Sequence, residues 1–184
     1  MLVVLGGFIG NGRGFLGPLL AKEMGFYYYP LLEKKKQLYL DNKHRLHERI
    51  MEPSTDPARA QLYREVLKDF RLLSKMYPDV IVEDTFHREK PRAFFLQEAR
   101  RYFSPVVFVW IESPDETAVA RLQRAERIKL VPSAAKAIHT RSKTMKEFEP
   151  FSGALIFFHR ISNRTAAKAL LGLINQSVKR GLAS

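Results

Sequence analysis

The stretch that decides the fold is the N-terminal run Met1-Leu2-Val3-Val4-Leu5-Gly6-Gly7-Phe8-Ile9-Gly10-Asn11-Gly12-Arg13-Gly14. Residues 1–5 are all apolar and stop at two glycines, which predicts a short buried strand. Glycines are dense in residues 6–14, and glycine lets main-chain N–H groups turn inward around the oxygens of an anion. A helix that begins behind such a loop adds positive potential. The run therefore predicts a strand, a phosphate-binding loop and a helix, in this order.

The loop departs from the P-loop pattern G-x-x-x-x-G-K-[S/T] at its last two positions. Gly7 and Gly12 fit the two glycines, but Arg13 stands where the pattern has lysine. Arginine binds phosphate as a planar fork and not as a point charge. Gly14 replaces the hydroxyl residue that would ligate Mg²⁺, so magnesium is in doubt. The residues expected to bind the phosphates of the ligand are Gly7, Gly10, Asn11, Gly12, Arg13, Gly14 and Phe15. A glycine-rich turn that binds no ligand is the alternative.

The rest of the chain alternates predicted strands with predicted helices. The strands are expected at residues 1–5, 26–29, 79–84, 105–111 and 154–158, and the helices at 19–24, 33–51, 58–76, 90–102, 114–127, 133–148 and 163–179. Gly17-Pro18 predicts that the first helix starts late or kinks. Continuous apolar strands between helices predict an α/β fold in three layers, with a five-stranded parallel sheet flanked by helices. Ligands of such sheets bind beyond the carboxyl ends of the strands.

Length and composition indicate one domain over residues 1–184, because 46% of the residues are hydrophobic and no linker interrupts the chain. The absence of cysteine excludes disulfides and thiolate metal sites. No apolar run is long enough to span a membrane and the N-terminus lacks the features of a signal peptide, so we expect a cytoplasmic protein with no membrane partner.

The charge of the chain is strongly basic and unevenly distributed. The net charge is +12, yet residues 1–120 hold 18 basic and 16 acidic side chains, whereas residues 121–184 hold 13 and 3. The last third therefore carries +10 of the total, since 13 − 3 = 10. This asymmetry indicates an anionic partner, which is a nucleotide, a phosphorylated metabolite or a nucleic acid. A solvated basic face is the alternative, and Lys34-Lys35-Lys36 is interpreted as such a surface.

Acids and arginines follow the predicted strands at the same edge of the sheet as the glycine loop. Glu83 and Asp84 end a buried strand, where an acid can orient a magnesium-bound water or accept the acceptor's proton. Arg121 and Arg124 (with Arg127) share one side of a predicted helix and could neutralise a transferring phosphoryl group. A strand-end cap and a solvated helix face are the alternatives. The arginines that could contact the acceptor are Arg88 and Arg92.

With the loop in place, the chain resembles the small P-loop kinases, the group of nucleoside monophosphate kinases, gluconate kinase and predicted small-molecule and polynucleotide kinases. The loop also resembles that of deoxynucleoside kinases, which the middle of the chain matches less well. The matching segments are residues 7–25, 80–88, 106–114, 121–124 and 133–150.

The resemblance implies a substrate-binding helical insert at about 30–77 and a lid at about 121–150. It also implies ATP and Mg²⁺ as cofactors, with Asp84 at the metal-bound water or the acceptor hydroxyl and Arg13, Arg121 and Arg124 as catalytic residues. Three hypotheses follow: a kinase of a small molecule or nucleotide-like acceptor, a relative that only binds nucleotide or phosphate, and a nucleic-acid binder or end kinase.

Overall fold

Five parallel strands form the centre of the fold in the computed structural model, which describes residues 1–41, 56–128, 133–150, 155–158 and 163–180. The strands are β1 (Leu2–Gly6), β2 (Tyr27–Tyr29), β3 (Val80–Glu83), β4 (Val106–Glu112) and β5 (Leu155–Phe158). They lie in the order β2-β3-β1-β4-β5. The predicted five-stranded parallel sheet is confirmed.

Seven helices in the described ranges surround the sheet. They are α1 (Arg13–Met24), α2 (Leu31–Asp41), α3 (Asp56–Met76), α4 (Glu89–Ala99), α5 (Asp115–Arg127), α6 (Ala134–Lys146) and α7 (Asn163–Lys179). The predicted helix over residues 33–51 is described only as far as Asp41, and its remainder lies outside the described residues. None of the helices in these ranges is long and apolar enough to cross a membrane.

Side chains of the central strand β1 point alternately into two apolar layers, as the two-residue period of a strand requires. Leu2 and Val4 pack into a cluster with the aromatic residues of α3 and α4, among them Phe70 and Phe95. Val3 and Leu5 pack on the other face into a cluster with residues of α1 and α7, among them Leu16, Leu20, Leu170 and Ile174. The sheet is therefore covered on both faces, which explains why β1 contains no polar residue.

The helix behind the glycine loop starts earlier than the sequence predicts. We expected Gly17-Pro18 to delay it to about residue 19, but α1 begins at Arg13 and contains Pro18. Proline lacks the N–H that would bond to the carbonyl four residues earlier, so only that one helical bond, to Gly14, is lost. Gly17 is required for packing, since a Cβ there would lie 2.8 Å from the Tyr28 ring. The prediction of a late start was wrong, because the chain keeps its helical backbone on both sides of Pro18 although one hydrogen bond is lost.

The strand register brings the glycine loop beside the acids that end β3. Leu5 of β1 is opposite Glu83 of β3, and Gly6 is opposite Trp110 of β4. The N–H of Gly7 donates to the carbonyl of Thr85 at 3.3 Å, and the N–H of Asp84 donates to the carbonyl of Leu5 at 3.1 Å. The loop and Asp84 thus share the carboxyl edge of the sheet, where parallel sheets bind their ligands.

Candidate functional site

The glycine loop adopts a backbone that other residues disfavour. Gly10 and Gly12 have φ of 88° and 92°, in the left-handed region. No hydrogen bond among the described residues uses the main-chain N–H groups of Gly10, Gly12, Arg13 or Gly14. These four donors lie in the loop and at the N-terminus of α1, which is the arrangement that binds a phosphate.

Asn11 and Arg141 hold the glycine loop in place through hydrogen bonds. Asn11 is 1% exposed, and its Nδ2 donates to the carbonyl of Ile111 at 2.7 Å. Arg141 of α6 donates from Nη1 to Asn11 Oδ1 at 2.7 Å and to the carbonyl of Ile9 at 2.8 Å, and from Nη2 to Asp115 at 2.6 Å. Since the Asn11 N–H also donates to the carbonyl of Phe8 at 3.1 Å, both the main chain and the side chain of Asn11 shape the loop.

A cavity of about 390 Å³ opens in front of the loop. This volume lies within the range of small-molecule sites. Of the residues expected to bind the cofactor, the structure places Gly10, Gly12, Arg13, Gly14 and Phe15 on its wall and leaves Gly7 and Asn11 off it. The opposite wall is α5, through Arg121, Leu122 and Ala125, and Glu83 completes the lining.

Arg13 is held at the cavity wall by two contacts. Its Nε donates to Glu83 Oε2 at 2.6 Å, and its Nη1 donates to the carbonyl of Gly7. A guanidinium has five N–H donors in a planar fork, and the described residues accept no hydrogen bond from Nη2. The pair therefore fixes the plane of Arg13 and leaves one edge for an anion in the cavity.

The arginines of α5 do not act as a cluster in this structure. Arg121 lines the cavity and donates to Ser113 Oγ at 2.9 Å and to the carbonyl of Gly10 at 3.3 Å. Burial lowers the pKa of Arg121, which nevertheless stays a cation at neutral pH. Arg124 and Arg127 are exposed and line no part of the cavity. The structure thus brings Arg121 to the site and leaves Arg124 outside it.

Asp84 is buried in a network with two residues that the sequence did not single out. It is 3% exposed, accepts from Lys35 Nζ at 2.6 Å and accepts from the Tyr63 hydroxyl at 3.1 Å. Burial alone would raise the pKa of Asp84, but the cations Lys35, Arg59 and Arg13 lower it below its usual range. The carboxylate is therefore ionised. The interpretation of Lys35 as solvated surface was wrong, because its side chain is only 12% exposed.

Beside Asp84 lie two further buried polar side chains, Arg59 and His87. Arg59 is 6% exposed and donates from Nη1 to Thr85 Oγ1 at 2.9 Å. His87 is fully buried, with its Nε2 3.5 Å from Glu147 Oε2. Arg59 Nε and His87 Nδ1 have no hydrogen-bond partner among the described residues.

Neutral His87 makes the stability of the fold depend on pH. Burial, with the cation Arg59, lowers its pKa from 6.5 to about 3. The charged groups that act on the ring are Arg59, Asp84, Arg88, Arg13 and Glu147. Below pH 6.5 the unfolded chain binds a proton that the folded chain does not, so the contribution of His87 is present above pH 6.5 and lost as the pH falls toward 3.

We expect the wild-type chain to lose about 2 kcal/mol of unfolding free energy between pH 6.5 and 5 through this histidine. His87→Gln, which cannot titrate, should lower stability at both pH values but abolish most of this difference. Urea unfolding at the two pH values measures the change in unfolding free energy for each chain. An equal change in the wild type and in His87→Gln would contradict a neutral buried His87.

The arginines expected to contact an acceptor are engaged within the fold. Arg92 is 2% exposed and donates to the carbonyls of Phe86 at 2.8 Å, Glu149 at 3.2 Å and Pro150 at 3.4 Å. It thereby holds Phe86, whose φ of 48° is rare for a non-glycine residue. Arg88 contacts Asp56 at 3.0 Å and Glu149 at 3.6 Å. Arg92 is therefore buried and stabilises the fold, while Arg88 stays partly exposed.

The described residues fit a nucleotide phosphate better than they fit a magnesium ion. No group of three His, Asp or Glu side chains in these ranges could hold a metal. Gly14 supplies no ligand, and Asp84 already faces Lys35. A contact of Mg²⁺ with Asp84 through a water stays a prediction.

Solved structures of kinases resemble the chain along almost its whole length. No family model and no curated protein matches the sequence. The APS kinase of Mycobacterium tuberculosis, solved with AMPPNP and APS, has a TM-score of 0.66 and 14% identity and covers 95% of this chain and 96% of its own. A gluconokinase of Sinorhizobium meliloti has a TM-score of 0.64, 17% identity and coverages of 97% and 95%. A shikimate kinase of Aquifex aeolicus has a TM-score of 0.55, 16% identity and coverages of 97% and 98%.

These likenesses identify the fold as the α/β fold of the P-loop kinases, with a parallel sheet flanked by helices. The expected fold is confirmed. At such low identity the comparison shows the fold and not the reaction.

Proposed function

We propose that the chain is an ATP-dependent phosphotransferase that acts on a small-molecule acceptor. The observation that carries this proposal is the set of unused main-chain donors of the glycine loop, which line a cavity beside Arg13 and Arg121. Asp84 follows the neighbouring strand at the same edge of the sheet. Donors for the phosphates and an acid for the acceptor are thus adjacent, as phosphoryl transfer requires.

In this proposal the loop N–H groups bind the nucleotide phosphates, and the free edge of Arg13 and the Arg121 guanidinium lie against them. Magnesium, when bound with ATP, would neutralise phosphate charge. Asp84 has a lowered pKa and is a weak base, so it orients the acceptor hydroxyl by accepting its hydrogen bond and does not store its proton. Residues at about 30–77 hold the acceptor, and residues at about 121–150 form the lid.

A second candidate, nucleotide binding without transfer, is favoured by two specific observations. Gly14 has no side chain for magnesium, and Glu83 offsets the charge of Arg13 at 2.6 Å. Both features weaken the handling of a γ-phosphate and leave the main-chain donors intact. A nucleic-acid partner rests only on the basic last third of the chain, and no contact of the described residues favours it.

Calorimetric titration with AMPPNP, with and without Mg²⁺, tests both candidates. We expect binding below about 1 mM that changes little with Mg²⁺, because residue 14 cannot ligate the metal. Gly14→Ser should make binding depend on Mg²⁺, since a side chain at this position meets no atom within 4 Å. Gly14→Ala is the matched control.

Turnover of ATP with a panel of hydroxyl acceptors then separates the two candidates. Rates of about 1–100 s⁻¹ in the native chain would contradict binding without transfer. No nucleotide binding at about 1 mM would contradict both candidates.

A further inference from the structure

We propose that the contact between Glu83 and Arg13 is autoinhibitory, because the Glu83 carboxylate competes with the phosphates of the ligand for the Arg13 guanidinium. This inference rests on the proposed binding of nucleotide phosphates at the glycine loop and adds the residue that regulates their affinity. Both side chains line the cavity in front of the loop, Arg13 from the first position of α1 and Glu83 from the last position of β3.

The contact between the two side chains is strong enough to compete with a ligand. Arg13 Nε donates to Glu83 Oε2 at 2.6 Å, and the side chains are only 15% and 12% exposed. A hydrogen bond between two charged groups is stronger than one between neutral groups, and it strengthens further where little water screens it. A phosphate that approaches Arg13 therefore meets a guanidinium that already has a partner.

The hydrogen bonds of Arg13 show which donors the carboxylate withholds. Arginine binds phosphate most tightly through two parallel N–H bonds. Nε donates to Glu83 and Nη1 donates to the carbonyl of Gly7, while the described residues accept no hydrogen bond from Nη2. The pair of donors at Nε and Nη2 becomes available to a phosphate only when Glu83 gives up Nε.

The Glu83 carboxylate is also anchored by a neighbouring strand. Burial, with the charge of Glu83 and a hydrogen bond to Glu83, raises the pKa of Tyr28 on β2, so the Tyr28 hydroxyl is a donor at neutral pH. The main chain of Glu83 is paired with Leu5 of β1. Because both neighbouring strands hold Glu83, the carboxylate does not follow Arg13 toward a ligand. The contact therefore breaks when Arg13 turns to a phosphate.

Two costs follow for a phosphate that binds to Arg13. Breaking the contact leaves Glu83, at 12% exposure, without its cation, and a mostly buried charge without a partner is costly. The carboxylate also stays on the cavity wall, where it repels the phosphates. Removal of the Glu83 charge should therefore tighten phosphate binding, whereas a change that merely damaged the loop would weaken it.

Calorimetric titrations of the full-length chain with AMPPNP and with inorganic tripolyphosphate test the proposal. Glu83→Gln should bind both ligands about 10-fold more tightly than the wild type does, because the effect acts on the phosphates that they share. Glu98→Gln is the matched control, since it removes an equal charge and also breaks an arginine contact, from Arg101 Nη1 at 2.8 Å, outside the cavity. The control should bind both ligands as the wild type does.

The Nε–H group of Arg13 gives a second readout, by NMR of isotope-labelled protein. Arg13→Lys identifies the resonance, which the variant lacks. We expect the resonance to shift when AMPPNP is added to the wild type, because Nε exchanges the Glu83 carboxylate for a phosphate. In Glu83→Gln the resonance should already differ from that of the wild type before AMPPNP is added.

The results that overturn this inference differ from those that overturn the proposed function. Equal or weaker binding of both ligands by Glu83→Gln, with an unchanged circular dichroism spectrum, contradicts the autoinhibitory contact and keeps the phosphate site. An unshifted Arg13 resonance in a wild type that binds AMPPNP does the same. If neither the wild type nor Glu83→Gln binds either ligand at about 1 mM, the proposed function and the autoinhibitory contact both fail.

Discussion

Asp84→Asn should lower the free energy of unfolding by about 3–5 kcal/mol. The reason is that the carboxylate is 3% exposed and contacts Lys35 at 2.6 Å, so its removal leaves Lys35 and Arg59 buried without an anion. The amide cannot replace this charge, although it can still accept from the Tyr63 hydroxyl. Under the proposed function the same change also abolishes orientation of the acceptor hydroxyl.

Urea unfolding of four chains measures this effect as a double-mutant cycle. Asp84→Asn combined with Lys35→Met should regain part of the lost stability, because the second change removes one uncompensated cation. Phosphoryl transfer should not return in the double variant, since the acid is still missing. A loss below about 1 kcal/mol in Asp84→Asn, the value of an exposed ion pair, would contradict the buried network.

The difference in unfolding free energy between wild type and Asp84→Asn should depend on pH, which gives an independent check of the buried network. The pKa of Asp84 is lower in the folded chain than in the unfolded chain, where it is about 3.9. Its contribution is therefore complete above that value and is lost as the pH falls below it. The stability gap between wild type and Asp84→Asn should be constant near neutral pH and shrink in acid below about pH 4.

The fold was predictable because its signals are local. Residues 1–5 are apolar without interruption, as a strand covered on both faces requires, and glycines mark the point where it ends. Ser133 shows the same locality at a helix start: its hydroxyl accepts from the Lys136 N–H at 3.2 Å. Such patterns depend on neighbours within one turn, and the sequence displays them directly.

The candidate site was predictable only in part, because its contacts join distant residues. Lys35 meets Asp84 across 49 positions, and Arg141 meets Asn11 across 130. Two of the residues that the sequence analysis missed could have been found from their helical spacing. Lys35 falls on the apolar stripe of α2 with Leu31, and Arg59 falls on the stripe of α3 with Leu62. A cation in such a position is buried and must find a partner.

Gly10→Ala should weaken nucleotide binding by about 100-fold, the second large effect that the structure predicts. A Cβ at residue 10 would lie 2.9 Å from the carbonyl oxygen of Ala118, which is main chain and cannot rotate away. The φ of 88° adds about 1–2 kcal/mol of strain for any residue with a Cβ. The loop must therefore move away from α5. This movement displaces the main-chain N–H groups that would bind the phosphates.

Gly14→Ala is the control in the same loop, since a Cβ at residue 14 meets no atom within 4 Å and its φ is not in the left-handed region. It should bind AMPPNP as the wild type does, and alanine inside a helix should leave the chain as stable or slightly more so. Both variants are studied by calorimetric titration with AMPPNP and by urea unfolding. The comparison separates the effect of a changed loop backbone from the effect of adding a methyl group. If Gly10→Ala binds AMPPNP as tightly as Gly14→Ala, the nucleotide does not use the donors of this loop, and its phosphates lie elsewhere in the chain.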